Sequence, residues 1–300
     1  MGDAIEQRCR WFVLAAAVLW GTTGTAQAFA PAGAPPLVVG ALRLLIGGAA
    51  LLLIAMTRGG FSRSARWPLW STLFAAGSMA MYQVCFFAAV LRTGVAVGTV
   101  VTIGSAPPIG GILAALVHKE RITARWMAST SFALAGCALL VLRGSDLSVD
   151  LTGIFLALGA GTSYAVYALA SKQLLRQHPP EMVMAVVFCL GGLMLAPLLI
   201  GADLRWAAAG SGLAAVLHLG LVATALAYTL FARGLKAIPV ATAVTLSLAE
   251  PLTAGLLGLF LLGERLTPAA GAGIGLLLTG LAVLALDRTP VERRSSYEQI

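Results

Sequence analysis

APPIGGILAALVHKERIT (residues 106–123) and EPLTAGLLGLFLLGERLT (residues 250–267) are the two stretches on which the fold of this chain turns. Shifted by 144 residues they superpose, with Pro107 on Pro251, Gly111 on Gly255, Glu120-Arg121 on Glu264-Arg265 and Thr123 on Thr267. The offset persists in both directions. Phe87-Ala88 meets Phe231-Ala232, Leu91-Arg92 meets Leu235-Lys236, and Gly136 meets Gly280. Gly47-Gly48 meets Gly191-Gly192, and Trp20-Gly21 meets Tyr164-Ala165. Leu and Ala coincide readily in apolar sequence, whereas Pro, paired Gly and Glu-Arg at one offset do not. The chain is an internal duplication.

Each copy is far too apolar for water. The 300 residues are 59% hydrophobic and 11% charged, with mean hydropathy +0.91. A soluble domain carries about 25% charged residues, so the charges here cannot cover a water-facing surface. A membrane helix needs about 20 mostly apolar residues. Runs of that size fall at 11–30, 35–57, 67–91, 94–117, 124–142, 152–172, 181–200, 207–232, 239–262 and 268–286. They predict an all-α membrane protein of ten transmembrane helices. Residues 1–10 form an N-terminal segment, 11–142 a first five-helix repeat, 152–286 a second, and 287–300 a polar tail. The connectors leave no room for a soluble domain. The first run reads as a membrane helix behind Arg8 and Arg10, not as a cleaved leader, because another span follows it directly. Pro68, Pro239 and Pro268 sit near helix starts, where a missing N–H costs nothing. Thr267 is a candidate N-cap, and Pro179-Pro180 separates the sixth and seventh spans.

Orientation follows from the basic residues. With the N-terminus inside, fifteen fall on the cytoplasmic side: Arg8, Arg10, Arg58, Arg63, Arg66, Lys119, Arg121, Arg125, Lys172, Arg176, Arg233, Lys236, Arg288, Arg293 and Arg294. Only Arg92, Arg143, Arg205 and Arg265 fall outside, and Arg43 lies within a span. An odd number of helices would destroy this asymmetry, so both termini are expected in the cytoplasm. Five helices per copy then make the copies inverted repeats around a central cavity. The net charge of +8 is spread over short connectors, which suits anionic lipid and not nucleic acid. Cys9, Cys85, Cys137 and Cys189 have neither metal nor redox spacing, so no metal, cofactor or disulfide is expected.

Trp20-Gly21, Glu250-Pro251 and Gly263-Glu264-Arg265-Leu266-Thr267 before a Gly-rich last span resemble the drug/metabolite transporter superfamily, in its EamA-type branch. The likeness covers about residues 11–286. It implies ten helices, both ends cytoplasmic and a cavity between the halves, and it is closest to bacterial exporters of amino acids, aromatic ones included. One departure is plain: Ala106-Pro107 stands where the second half has Glu250-Pro251.

Candidate cavity residues come from polar stripes within apolar spans. Trp20, Thr23 and Gln27 share one helix face, as do their counterparts Tyr164, Tyr167 and Ser171. Such stripes either line a cavity or bond helix to helix. Tyr82 and Gln83 point about 100° apart, so one of them reaches the cavity; Tyr228 and Thr224 occupy the eighth span. Thr99, Thr102 and Ser105 give a hydroxyl stripe in the fourth span, and Thr245 and Ser247 one in the ninth. Glu250 is the acid well inside a span, where a charge costs roughly 2.5–3.5 kcal/mol. It either binds a substrate ammonium or coupling proton, pairs with Arg43, or braces the kink at Pro251. Arg43 either meets a substrate carboxylate, pairs inside the bundle, or snorkels outward. Pro107, Pro108 and Pro251 are candidate hinges, since each proline removes a helix hydrogen bond. His218 reads as structural, and His118 and His178 lie in connectors. Gly94/Gly98 and Gly271/Gly275 have the spacing of helix-packing glycines.

A secondary transporter exporting small metabolites, most of all amino acids, is the reading these features favour, with multidrug efflux of lipophilic cations as the alternative. No GxxxxGK[ST] loop exists for ATP, and neither HExxH nor GxSxG supports an intramembrane enzyme. A pore ringed by like groups suits two kinked halves less well. The partners expected are the small-molecule substrate and the lipid bilayer of a bacterial inner (plasma) membrane, with no obligate protein partner.

Overall fold

Helices carry all of the architecture in the computed structural model, which describes residues 2–31, 33–57, 67–141, 150–208, 210–261 and 267–286. The long ones are α1 (Gly2–Gly21), α2 (Pro36–Thr57), α3 (Leu69–Gly94), α4 (Val97–His118), α5 (Ala124–Val141), α6 (Leu151–Leu175), α7 (Pro180–Leu199), α8 (Gly210–Ala237), α9 (Val240–Leu261) and α10 (Pro268–Ala285). Eight of them, all but α1 and α5, are long and apolar enough to cross a membrane. Their lengths and apolarity make the chain a multi-pass α-helical membrane protein. Arg58, Arg63, Arg66, Arg143, Arg265, Arg288, Arg293 and Arg294 lie outside the described residues. So do the tail 287–300 and residues 263–266 of the second Glu-Arg motif.

Helix ends follow the local chemistry. Pro68 and Pro239 stand at the N-caps of α3 and α9, and Pro180 and Pro268 open α7 and α10. The Thr267 hydroxyl accepts the Ala270 N–H at 3.2 Å, closing one of the free donors of a helix start. The first helix departs from the sequence reading at both ends. It begins at Gly2, so residues 2–10 are already helix. Arg10 pairs with Glu6 one turn away at 2.7 Å and donates to the Leu284 carbonyl at 2.9 Å, fixing the polar turns against the end of α10. It stops at Gly21 because the Thr22 hydroxyl and N–H both turn back to Leu19 O, and the chain resumes as a short helix, Thr23–Ala28.

Gly94 also departs from expectation. With φ +80° and ψ 164° it ends α3, and it is a break, not a packing stripe. A Cβ on Gly94 or on Gly275 would meet nothing within 4 Å. The close helix crossings use other glycines. A Cβ on Gly48 would lie 2.9 Å from Cys189 N on α7, and one on Gly192 would lie 3.0 Å from Leu45 Cδ2 on α2. Gly47 abuts Thr224 and Gly220, while Gly191 abuts Ala80 and Ala76. Gly136 abuts Gly273 and Leu277, while Gly280 abuts Ser129 and Ala133. Each contact is the 144-residue translation of its partner. The long-helix pairing repeats the pattern, with α2 on α7, α5 on α10, and α1 on α8 as α6 lies on α3.

Candidate functional site

A cavity with about 530 Å³ of empty space, part of it open to solvent, forms among α1–α4, α6, α8 and α9. Three pairs of its lining residues stand 144 positions apart: Trp20 and Tyr164, Ile103 and Ser247, Ala106 and Glu250. The cavity therefore sits where the duplicated halves meet. Gly21 brings α1 there. A Cβ on it would stand 2.7 Å from the Glu250 carbonyl oxygen, so glycine admits α1 onto α9 beside Trp20.

α9 is interrupted at the cavity. Its first part ends at Leu246, and the helix restarts at Ala249. Pro251 offers no N–H to Ser247 O, and the Glu250 N–H takes that carbonyl at 3.0 Å. Ser247 and Glu250, at the interruption, both line the cavity. Pro107 and Pro108 differ, since α4 runs through them as continuous helix.

Several polar groups on the wall are committed to the protein. The Ser247 hydroxyl donates to Ala243 O at 3.1 Å, so the Tyr164 hydroxyl, 2.9 Å away, donates to Ser247. Thr102 donates to Ala157 O at 3.1 Å. Arg43 is buried and leans on α8, where residues His218–Leu226 wind as π-helix. Its Nε donates to the Thr224 hydroxyl at 3.2 Å and one terminal nitrogen to Ala223 O at 3.4 Å. π turns of this kind are frequent at functional sites. The other terminal nitrogen of Arg43 has no protein acceptor among the described residues. Arg43 and Glu250 line the same cavity without forming an ion pair with each other among the described residues. The Glu250 carboxylate accepts no hydrogen bond there either, and the Tyr82 and Tyr228 hydroxyls are likewise uncommitted.

Nine of the residues singled out from sequence line the cavity: Trp20, Thr23, Arg43, Tyr82, Thr102, Tyr164, Tyr228, Ser247 and Glu250. Four do not. Tyr167 is fully buried, with its ring stacked on Phe231 and its hydroxyl 3.2 Å from Met184 Sδ. Thr245 is a helix-to-helix bond, accepting from Trp126 Nε1 at 3.1 Å and donating to Ala241 O. Gln27 is half-buried on Thr23–Ala28, away from the wall. Between the adjacent pair, Tyr82 lines the cavity and Gln83 is buried toward Gly40. Ile103, Ala106 and Val244 were missed as lining. The 144-residue offset could have found Ala106 from Glu250. His218 holds Thr22 at 2.8 Å, which is a structural contact.

Two segments of the chain, 8–142 and 151–286, match the EamA-like transporter family. The chain is 50% identical over 275 residues to the "Uncharacterized transporter YwfM" of Bacillus subtilis (strain 168), covering 91% of this chain and 92% of that one. It is 32% identical over 278 residues to the "Threonine/homoserine exporter RhtA" of Escherichia coli (strain K12), covering 89% and 87%. A solved crystal structure 24% identical to it superposes with a TM-score of 0.81 over 92% of this chain and 95% of that one, a likeness of fold.

Proposed function

The chain belongs to the EamA-like transporter family, and from that premise we propose that it is a secondary transporter exporting zwitterionic metabolites, amino acids above all, across a bacterial inner membrane. In this reading α1 and α5 join the eight apolar spans to make ten. The halves are inverted five-helix repeats, and both termini are cytoplasmic, as the basic residues require. The domains are residues 11–142 and 152–286, flanked by cytoplasmic ends.

The observation that carries the reading is a pair of opposite charges that face one cavity without bonding to each other. A carboxylate at membrane depth needs a partner, and Glu250 accepts no hydrogen bond and forms no ion pair among the described residues. Arg43 is anchored on α8 with donors to spare. A free α-amino acid supplies an ammonium for the first and a carboxylate for the second. The Tyr82 and Tyr228 hydroxyls face the same space. A lipophilic cation would satisfy Glu250 but would meet the Arg43 charge, so the amino acid fits better. The amino-acid exporter among its relatives points the same way. With no phosphate-binding loop, a solute or ion gradient drives the cycle. Pro251 and the prolines of α4 are the hinges on which the cavity alternates between the two sides.

Counterflow in proteoliposomes tests this. Amino acids preloaded singly are expected to drive saturable entry of a labelled one, and Glu250→Gln or Tyr164→Ala to reduce that entry at least tenfold. Exchange of lipophilic cations with none of amino acids would replace this reading with multidrug efflux.

A further inference from the structure

The first copy of the Glu-Arg motif lies outside the cavity, yet its side chain has a definite task. Lys119 ends α4 in the left-handed conformation, φ 54°, and both its N–H and that of Glu120 return to Ala114 O. This turn aims Glu120 across the seam between the halves, at the start of α9. There its two carboxylate oxygens accept the N–H groups of Val240 at 2.9 Å and Ala241 at 3.3 Å, donors that a helix start leaves unpaired. From α6, Lys172 Nζ donates to the carbonyls of Leu235 at 2.7 Å, Lys236 at 3.3 Å and Ile238 at 2.7 Å, the acceptors left over where α8 ends. An anion at a helix start and a cation at a helix end also oppose the helix dipoles favourably. Two side chains thus clamp both sides of the α8–α9 connection, and neither is part of α8 or α9.

The clamp closes one end of the cavity. Between it and the cavity, Tyr167, Phe188, Phe231, Ser171 and Leu235 are all fully buried. The duplication does not repeat it in full, because Ala28 stands 144 residues before Lys172. We propose that Glu120 and Lys172 are positioning residues for transport: a latch that holds the α8–α9 connection down, keeps the cytoplasmic end shut, and must release before substrate can enter from inside. A latch on one end only gives the empty protein a preferred resting state, closed to the cytoplasm. Its sidedness rests on the topology proposed above.

Ser171→Cys supplies the probe, since cysteine is nearly isosteric with serine and this position is sealed while the latch holds. A membrane-impermeant maleimide is added to inside-out or right-side-out vesicles, and labelling at position 171 is read by mass spectrometry, which keeps the native cysteines separate. Labelling from the cytoplasmic side is expected to be slow with the latch intact. It should rise at least tenfold on adding Glu120→Gln or Lys172→Met, and fall back with Glu120→Asp or Lys172→Arg. Apparent affinity for substrate offered from outside should weaken in the same variants, as the outward-open fraction shrinks. Unchanged labelling in both variants overturns the latch. Labelling that rises equally from both sides with a lowered melting temperature overturns it too, since that describes helix caps and nothing more. A rise confined to the right-side-out vesicles keeps the latch and overturns the topology.

Discussion

Gly21 has no room for a side chain: a Cβ there would stand 2.5 Å from Thr253 Cβ as well as against the Glu250 carbonyl. Overpacking such a contact costs about 1–3 kcal/mol, and here it would also push α9 away from the cavity. Gly21→Val is expected to lower the melting temperature in detergent and to abolish amino-acid counterflow, while Gly24→Val, where a Cβ meets nothing within 4 Å, leaves both unchanged. At this scale the sequence was informative wherever charge or aromaticity stood out in an apolar span, as for Trp20, Arg43 and Glu250. It misled where a hydroxyl had a local outlet. Thr245 spends its proton on Ala241 O and its lone pairs on α5, and no spacing rule separates that from lining a cavity. Tyr167 has the right helical face but lies a turn below the cavity, packed among Phe188 and Phe231.

Helices supply a second set of consequences. α6 starts at Asp150, whose carboxylate accepts the N–H groups of Thr152 at 2.9 Å and Gly153 at 3.2 Å and meets Arg92 at 3.3 Å. The Gly153 amide above all, and then Arg92, hold this carboxyl below its ordinary range. A depressed carboxyl stabilises the fold above its unfolded value and loses that contribution as pH falls through the folded one. Asp150→Asn keeps a good cap without the charge. The expected result is a melting temperature close to wild type at pH 7 and a shallower decline below about pH 4, where the Asp carboxyl titrates, read by thermal unfolding across pH. Helix starts were legible because Pro and Thr act through their own backbone and hydroxyl. The π segment of α8 was not. Its widened turn is bonded through Thr224 to Leu219 O, five residues back, and to Arg43 on α2, and the second contact exists only once the helices assemble. Gly94 misled in the opposite way, with packing spacing but a dihedral that ends the helix.

Across the whole molecule, the duplication predicted the assembly well, because the matched glycines fall where helix backbones touch. The offset did not predict that the two halves would treat their prolines differently, with a continuous α4 against an interrupted α9. Glu250 and its counterpart Ala106 line the cavity in spite of that difference. Ala106→Glu would add a second carboxylate to the same space. The expected outcome is a shift in counterflow preference from threonine toward lysine of about tenfold, equivalent to ~1.4 kcal/mol; an unchanged preference would remove Glu250 from charge recognition. The reciprocal glycine contacts reach further back. Since these contacts are met by their own translations, one five-helix piece carries both surfaces of that seam, and two copies of it could close on each other as an isologous dimer. Such a dimer must present two acids to its axis or none. Two halves in one chain are free of that restriction, and a carboxylate from one half can face a guanidinium from the other without either being duplicated.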